Sequence, residues 1–255
     1  AMLRKRLALE PETLAQLVQR TAGNPLFTEE LIRHWIENGS LIPSDRGFTL
    51  LDRHKANLPQ SIQSIWYARL SSLTSPNGGA WQALELAATL GLTVQMQEWT
   101  QVCGDAGLHV PYTLLEQLFD EELAYLEHRN EWTFRHALFR EFLQTNARKQ
   151  ERLTRFNSIC AEMLSRPESQ ATNERVGRHF LDAERYLEAL EPLRKAIKYY
   201  TDTSNYPAVR RQCVAYARAL RGARITTDAP EWFDLRIRWA VCARVEGDSA
   251  TARRY

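Results

Sequence analysis

Apolar residues recur at helical spacing along most of this chain, broken by a few short extended stretches. Leu7, Leu14, Leu17 and Val18 predict a first helix, with Pro11 and Glu12 suited to its first turn. Gly23 stops it, Asn24 is placed to cap the next helix, and Pro25 takes that helix's first position, where a missing N–H costs nothing. Leu26, Phe27, Leu31, Trp35 and Ile36 follow as a stripe expected to be buried, and Gly39 ends the helix. Leu41-Ile42 and Phe48-Thr49-Leu50 flank a turn from Ser44 to Gly47 and predict a small hairpin. Residues 1–58 thus read as a helical lid subdomain.

Residues 59–146 open with helices over Ser61–Leu73, Trp81–Leu90, Gln97–Cys103 and Tyr112–Phe119. The period then changes to two. Leu123, Tyr125 and Glu127 alternate with Ala124, Leu126 and His128, Arg129-Asn130 turns the chain, and Trp132-Thr133-Phe134 returns. Helices followed by one β-hairpin is the order of a winged helix, closed by a further helix over His136–Thr145. Residues 147–255 read as an α-solenoid: Glu151–Leu164, Glu174–Glu184, Leu187–Tyr200, Pro207–Leu220 and Trp232–Val245 each carry an apolar stripe. Ala183, Ala189, Ala196, Ala215 and Ala219 suit close helix contacts, and the run from Asp182 to Ala189 resembles a tetratricopeptide turn. The run from Glu246 to Ala252 resembles it again, although an ideal ~34-residue period is not kept. The expected fold class is mainly α: a helical lid, a winged-helix unit with one β-hairpin, and a tetratricopeptide-like helical arm.

Composition narrows the functional classes. The 255 residues are 44% hydrophobic and 25% charged, ordinary for a folded protein, and suffice for two or three units. A net charge of +2 does not by itself point to nucleic acid or an anionic membrane. No apolar run approaches ~20 residues, and no secretory leader is visible. Cys103, Cys160, Cys213 and Cys242 are far apart, which suits reduced thiols in a cytoplasmic protein. His34, His54, His109, His128 and His179 show no ligand spacing, so no metal is expected. The start at Ala1-Met2 and the uncapped end at Arg253-Arg254-Tyr255 lead us to expect a piece of a longer protein.

The string from Thr21 to Leu31, Thr-Ala-Gly-Asn-Pro-Leu-Phe-Thr-Glu-Glu-Leu, resembles the lid motif of the signal-transducing STAND class of AAA-like ATPases. Later strings fit the same order: Leu58 to Gln63, Ala68 to Leu73, Ala87 to Gly91, and Phe134 to Glu141. The resemblance implies a nucleotide-binding set of Gly23, Asn24, Pro25 and His136, in which Gly23 and Pro25 contact the adenine of a bound nucleotide while His136 reaches the phosphates of ADP. A proline ring offers a purine a flat apolar surface, and an imidazole can donate a charge-assisted hydrogen bond to phosphate. It also implies ATP or ADP as the parent's ligand, an upstream nucleotide-binding domain as partner, a protein or small-molecule signal on the helical arm, and assembly on activation. The family joins such modules to kinases, cyclases or LuxR-type DNA-binding domains. This sequence lacks a Gly-x-x-x-x-Gly-Lys-Ser/Thr phosphate loop, so no catalysis, no catalytic residue and no bound cofactor are expected of it alone.

Plainer readings accompany each feature. Gly-Asn-Pro is also a helix stop followed by a helix start, and His136 is also a helix-entry residue. Arg210, Arg211, Arg218 and Arg221 are candidates for binding a protein partner, although such a run usually forms a solvated face. Between Tyr112 and Leu126, Glu116, Asp120, Glu121 and Glu122 occur with no Lys or Arg, which opposes DNA binding through the expected recognition helix. A tetratricopeptide-like interaction scaffold without a nucleotide role is the alternative function, and a winged-helix DNA-binding regulator ranks below it.

Overall fold

In the computed structural model, residues 8–45, 47–51, 59, 61–167, 169, 172–245 and 247 are described. The chain divides into two compact units, Ala1–Gly78 and Gly79–Tyr255. Among the described residues it is mainly helical, with a two-stranded and a three-stranded sheet.

In the first unit, α1 (Pro11–Thr21) and α2 (Pro25–Glu37) pack together beside a hairpin of β1 (Leu41–Ser44) and β2 (Gly47–Leu50). Phe27, Leu31, Ile32 and Trp35 supply the buried face of α2. Ile36, expected inside, is half exposed, because the buried arc runs through Ile32 instead. Leu14 and Val18 of α1 are likewise exposed, while Thr13, Leu17 and Thr21 turn inward. The segment before α1 joins the hairpin edge: Phe48 donates its N–H to the Ala8 carbonyl at 2.7 Å, and Glu10 donates to that of Phe48 at 3.0 Å. Next comes α3 (Ile62–Leu73), started by a reciprocal Ser61–Ser64 capping box. It packs against α2, and Arg69 meets the buried Glu30 carboxylate at 3.0 Å. The compact division therefore falls one helix later than the break expected at residues 58–59, and residues 52–58 lie outside the described set.

The second unit begins with α4 (Gly79–Leu90), buried on nearly every side. It continues with β3 (Thr93–Gln95), α5 (Met96–Asp105), α6 (Tyr112–Asp120), β4 (Ala124–His128) and β5 (Glu131–Phe134). The sheet order is β3-β5-β4, antiparallel throughout, with Val94 opposite Trp132 and Ala124 opposite Phe134. This is the element order of a winged helix; the expected hairpin is present as β4–β5, and β3 joins it along β5 to make a three-stranded sheet. Edge-to-face contacts link Trp99 to Trp132 and Trp132 to Phe134 at 5.2 and 4.7 Å, and all three rings are buried. The buried Trp99 indole donates to the Ala83 carbonyl at 2.7 Å, so no polar cost remains.

Helices α7 (Ala137–Lys149), α8 (Leu153–Leu164), α9 (Asn173–Asp182), α10 (Tyr186–Asp202), α11 (Tyr206–Gly222) and α12 (Pro230–Val245) complete the unit. Three-residue turns join α9 to α10 and α10 to α11, each with a left-handed residue, Glu184 at φ 60° and Ser204 at φ 55°. Short turns make consecutive helices antiparallel neighbours. Their contacts need small residues: a Cβ on Gly177 would fall 2.7 Å from the Leu193 side chain, and one on Gly222 2.5 Å from the Tyr186 ring. The four cysteines are buried free thiols, and burial raises Cys103 and Cys213 to about 12.

Candidate functional site

Gly23, Asn24 and Pro25 stand exposed at the corner between α1 and α2. Two successive left-handed residues, Ala22 at φ 48° and Gly23 at φ 77°, turn the chain there. The Asn24 side chain then accepts the Phe27 N–H at 3.2 Å, and Pro25 opens the helix. Thr28 fastens the corner from inside, donating to the Asn24 carbonyl at 2.8 Å. The corner thus presents a rigid proline ring and open space above Gly23, where an added Cβ would meet nothing within 4 Å.

His136 lies in the other unit, at the N-cap position of α7 directly after β5, and is half-buried. Its imidazole does not cap the helix, while its carbonyl accepts from the Phe139 and Arg140 N–H groups at 3.0 and 3.3 Å. The α1–α2 corner and His136 therefore belong to separate units, each with its own geometry. The α11 arginines are exposed but partly engaged within the chain. Arg218 pairs with Asp182 at 3.2 Å, and the Arg221 guanidinium lies 5.7 Å over the Trp232 ring. On α6, which holds the recognition-helix place in the winged-helix order, Glu116 and Asp120 are exposed.

Sequence spacing did not reveal a polar cleft where α7, α8 and α9 converge. It encloses about 450 Å³, and Arg140, Arg148, Asn157, Arg178 and His179 are among its lining residues. His179 is 2% exposed, and its Nδ1 lies 2.9 Å from the Asn157 Oδ1. Because the Asn157 amide nitrogen donates to the Leu153 carbonyl at 3.0 Å, its oxygen must face the ring, which assigns the histidine proton to Nδ1. Burial first, then the Arg178, Arg175 and Arg140 charges, push this imidazole down to about 3, so it stays neutral. Arg140 is also lowered from its ordinary value, by burial and then by Arg178. Arginines of α7 and α9 converge here only through the fold, and no local motif signals that. Among the described residues no group of three or more His, Cys, Asp or Glu is placed to hold a metal ion.

Comparison with protein-family models, with curated proteins and with solved structures returns no match.

Proposed function

We propose that this chain is a regulatory and sensory arm of a STAND-type ATPase: lid, winged helix and the start of a helical solenoid. It would couple a partner or ligand on the arm to the ADP or ATP state of an upstream phosphate-gripping domain. The observation that supports this most is the Gly23-Asn24-Pro25 corner, a rigid proline ring exposed at a helix start, followed in order by a winged helix carrying His136 at a helix entrance. Contacts made only in the ADP-bound closed form would hold the arm against that domain, and their loss would release it. The acidic α6 surface argues against duplex DNA as the partner. In this reading the chain performs no hydrolysis and contributes only contacts to the nucleotide.

The test joins the chain to its upstream nucleotide-binding domain and follows ADP dissociation. Pro25→Ala and His136→Ala should each speed release roughly tenfold, the worth of one good contact. Unchanged release in both variants would discard the reading. A second reading, an interaction scaffold, is favoured by one feature: Phe233, Ile237, Val241 and Val245 form an exposed apolar row at i+4 spacing along α12.

A further inference from the structure

We propose that the cleft between α7, α8 and α9 binds a small phosphomonoester that also carries a hydroxyl group. Its wall holds donors waiting for an anion. The side chains of Arg148 and Arg178 have no hydrogen-bond or ion-pair partner among the described residues, although both line the cleft. Arg140 uses its Nε on the Ala88 carbonyl at 2.8 Å, which fixes the guanidinium plane and leaves both Nη groups unpartnered among the described residues. Guanidiniums set in this way match the oxygens of a phosphoryl group through paired, charge-assisted hydrogen bonds.

The same wall holds one acceptor. With its proton committed to Asn157, His179 carries a bare Nε2 that is buried without a hydrogen-bond partner, and a buried acceptor left so is costly. A ligand hydroxyl would satisfy it. The charge count sets the ligand's size: four arginines line the cleft, including Arg218 paired to Asp182, and Glu151 and Glu184 stand with Asp182 as three carboxylates. That small positive excess suits one phosphoryl group and opposes a triphosphate. The volume is that of a small-molecule pocket. A bound ligand would tie the helix that closes the winged-helix unit to the first helices of the arm. Nothing here uses Gly23, Asn24, Pro25 or His136, so failure of the nucleotide reading leaves this site standing, and the reverse.

The test uses the whole chain in isothermal titration, with ribose 5-phosphate as the probe and ribose and sodium sulfate as controls. Saturable binding of ribose 5-phosphate is expected, weakened roughly tenfold by Arg178→Ser or Arg148→Ser and roughly a hundredfold by both. Both positions are exposed and bonded to no described side chain, and circular dichroism checks that each variant keeps its helices. Sulfate should bind more weakly than the probe, lacking a hydroxyl for His179. Absence of saturable binding, equal binding by the folded single variants, or equal binding of unphosphorylated ribose would each overturn the assignment.

Discussion

Each unit buries one glutamate against an arginine from a later helix, yet the two pairs are completed differently. In the second unit Glu85 is wholly buried on α4 and accepts from Arg152 Nε at 2.9 Å, Arg152 Nη2 at 2.8 Å and Asn146 Nδ2 at 2.7 Å. In the first, Glu30 is met by a single Arg69 nitrogen at 3.0 Å, while the other Arg69 nitrogen lies 3.9 Å from the exposed Glu37. A network whose oxygens are all satisfied fixes one geometry, whereas a single bond mainly offsets desolvation. Glu85 therefore acts as a clamp, holding the entrance of α8, where Arg152 is the N-cap residue, against α4. The Glu30–Arg69 pair joins α2 and α3 with less directional control.

Breaking the clamp should have the largest effect. Arg152→Met leaves an unexposed carboxylate with one amide partner and should cost about 3–5 kcal/mol, the range for orphaning a buried charge. Urea unfolding measures the loss, and hydrogen exchange should place it in α4 and α8. Arg69→Met strips the guanidinium from Glu30, also buried but 5% exposed at its side chain, and should fall at the lower end of the same range, about 3 kcal/mol, with faster exchange in α2 and α3. The reverse order would dissolve the contrast between clamp and pair.

Much of this architecture was legible because its signals are local. Asn24 and Pro25 mark a helix start by chemistry, and Leu114, Leu115 and Leu118 mark one buried face of α6 by spacing. The β4–β5 hairpin is likewise a neighbouring pair. Three-residue β3 was hidden because it is too short to show alternation, and its partner β5 lies some forty residues later. The outward turn of Leu14, Val18 and Ile36 was hidden for another reason: a helical stripe gives the period of burial but not which neighbour covers its margin. Of the candidate site, the exposed corner at Gly23-Asn24-Pro25 could be read as a helix stop and start, residue by residue. The arginine-lined cleft could not, since Arg140, Arg148 and Arg178 converge only after α7 and α9 have both packed on α8.

Acidification should separate the units next. Burial and then the Arg69 charge lower the pKa of His34 in the first unit, and burial with three arginines lowers that of His179 much further, to about 3. An unfolded histidine takes up its proton near 6.5, while folded His179 stays neutral until about 3. Its contribution is thus fully present above pH 6.5 and declines as pH falls below that value, by up to roughly 1.4 kcal/mol per unit. Between pH 6.5 and 4.5 the second unit should lose roughly 2 kcal/mol that a His179→Gln variant keeps, with a smaller change in the first. Equal pH slopes for wild type and His179→Gln would show that the imidazole is not held neutral.

The smallest effect sharpens the comparison most, because the two units contain near-duplicate helix starts. Asn24 caps α2 ahead of Pro25, and Asn205 caps α11 ahead of Tyr206-Pro207, accepting the Ala208 N–H at 3.2 Å. As caps they are equivalent, so Asn24→Ala and Asn205→Ala should each cost about 1 kcal/mol. Pro25→Ala should change stability little, since an exposed proline in the first turn replaces no hydrogen bond. What distinguishes the corners is Gly23 before Asn24, where the α11 start has Ser204. If the Gly23-Asn24-Pro25 corner only starts a helix, substitutions at the two prolines should be silent alike in every assay with the upstream domain attached. If it also supports a purine, Pro25→Ala alone should shorten ADP retention while thermal melting leaves it indistinguishable from Pro207→Ala.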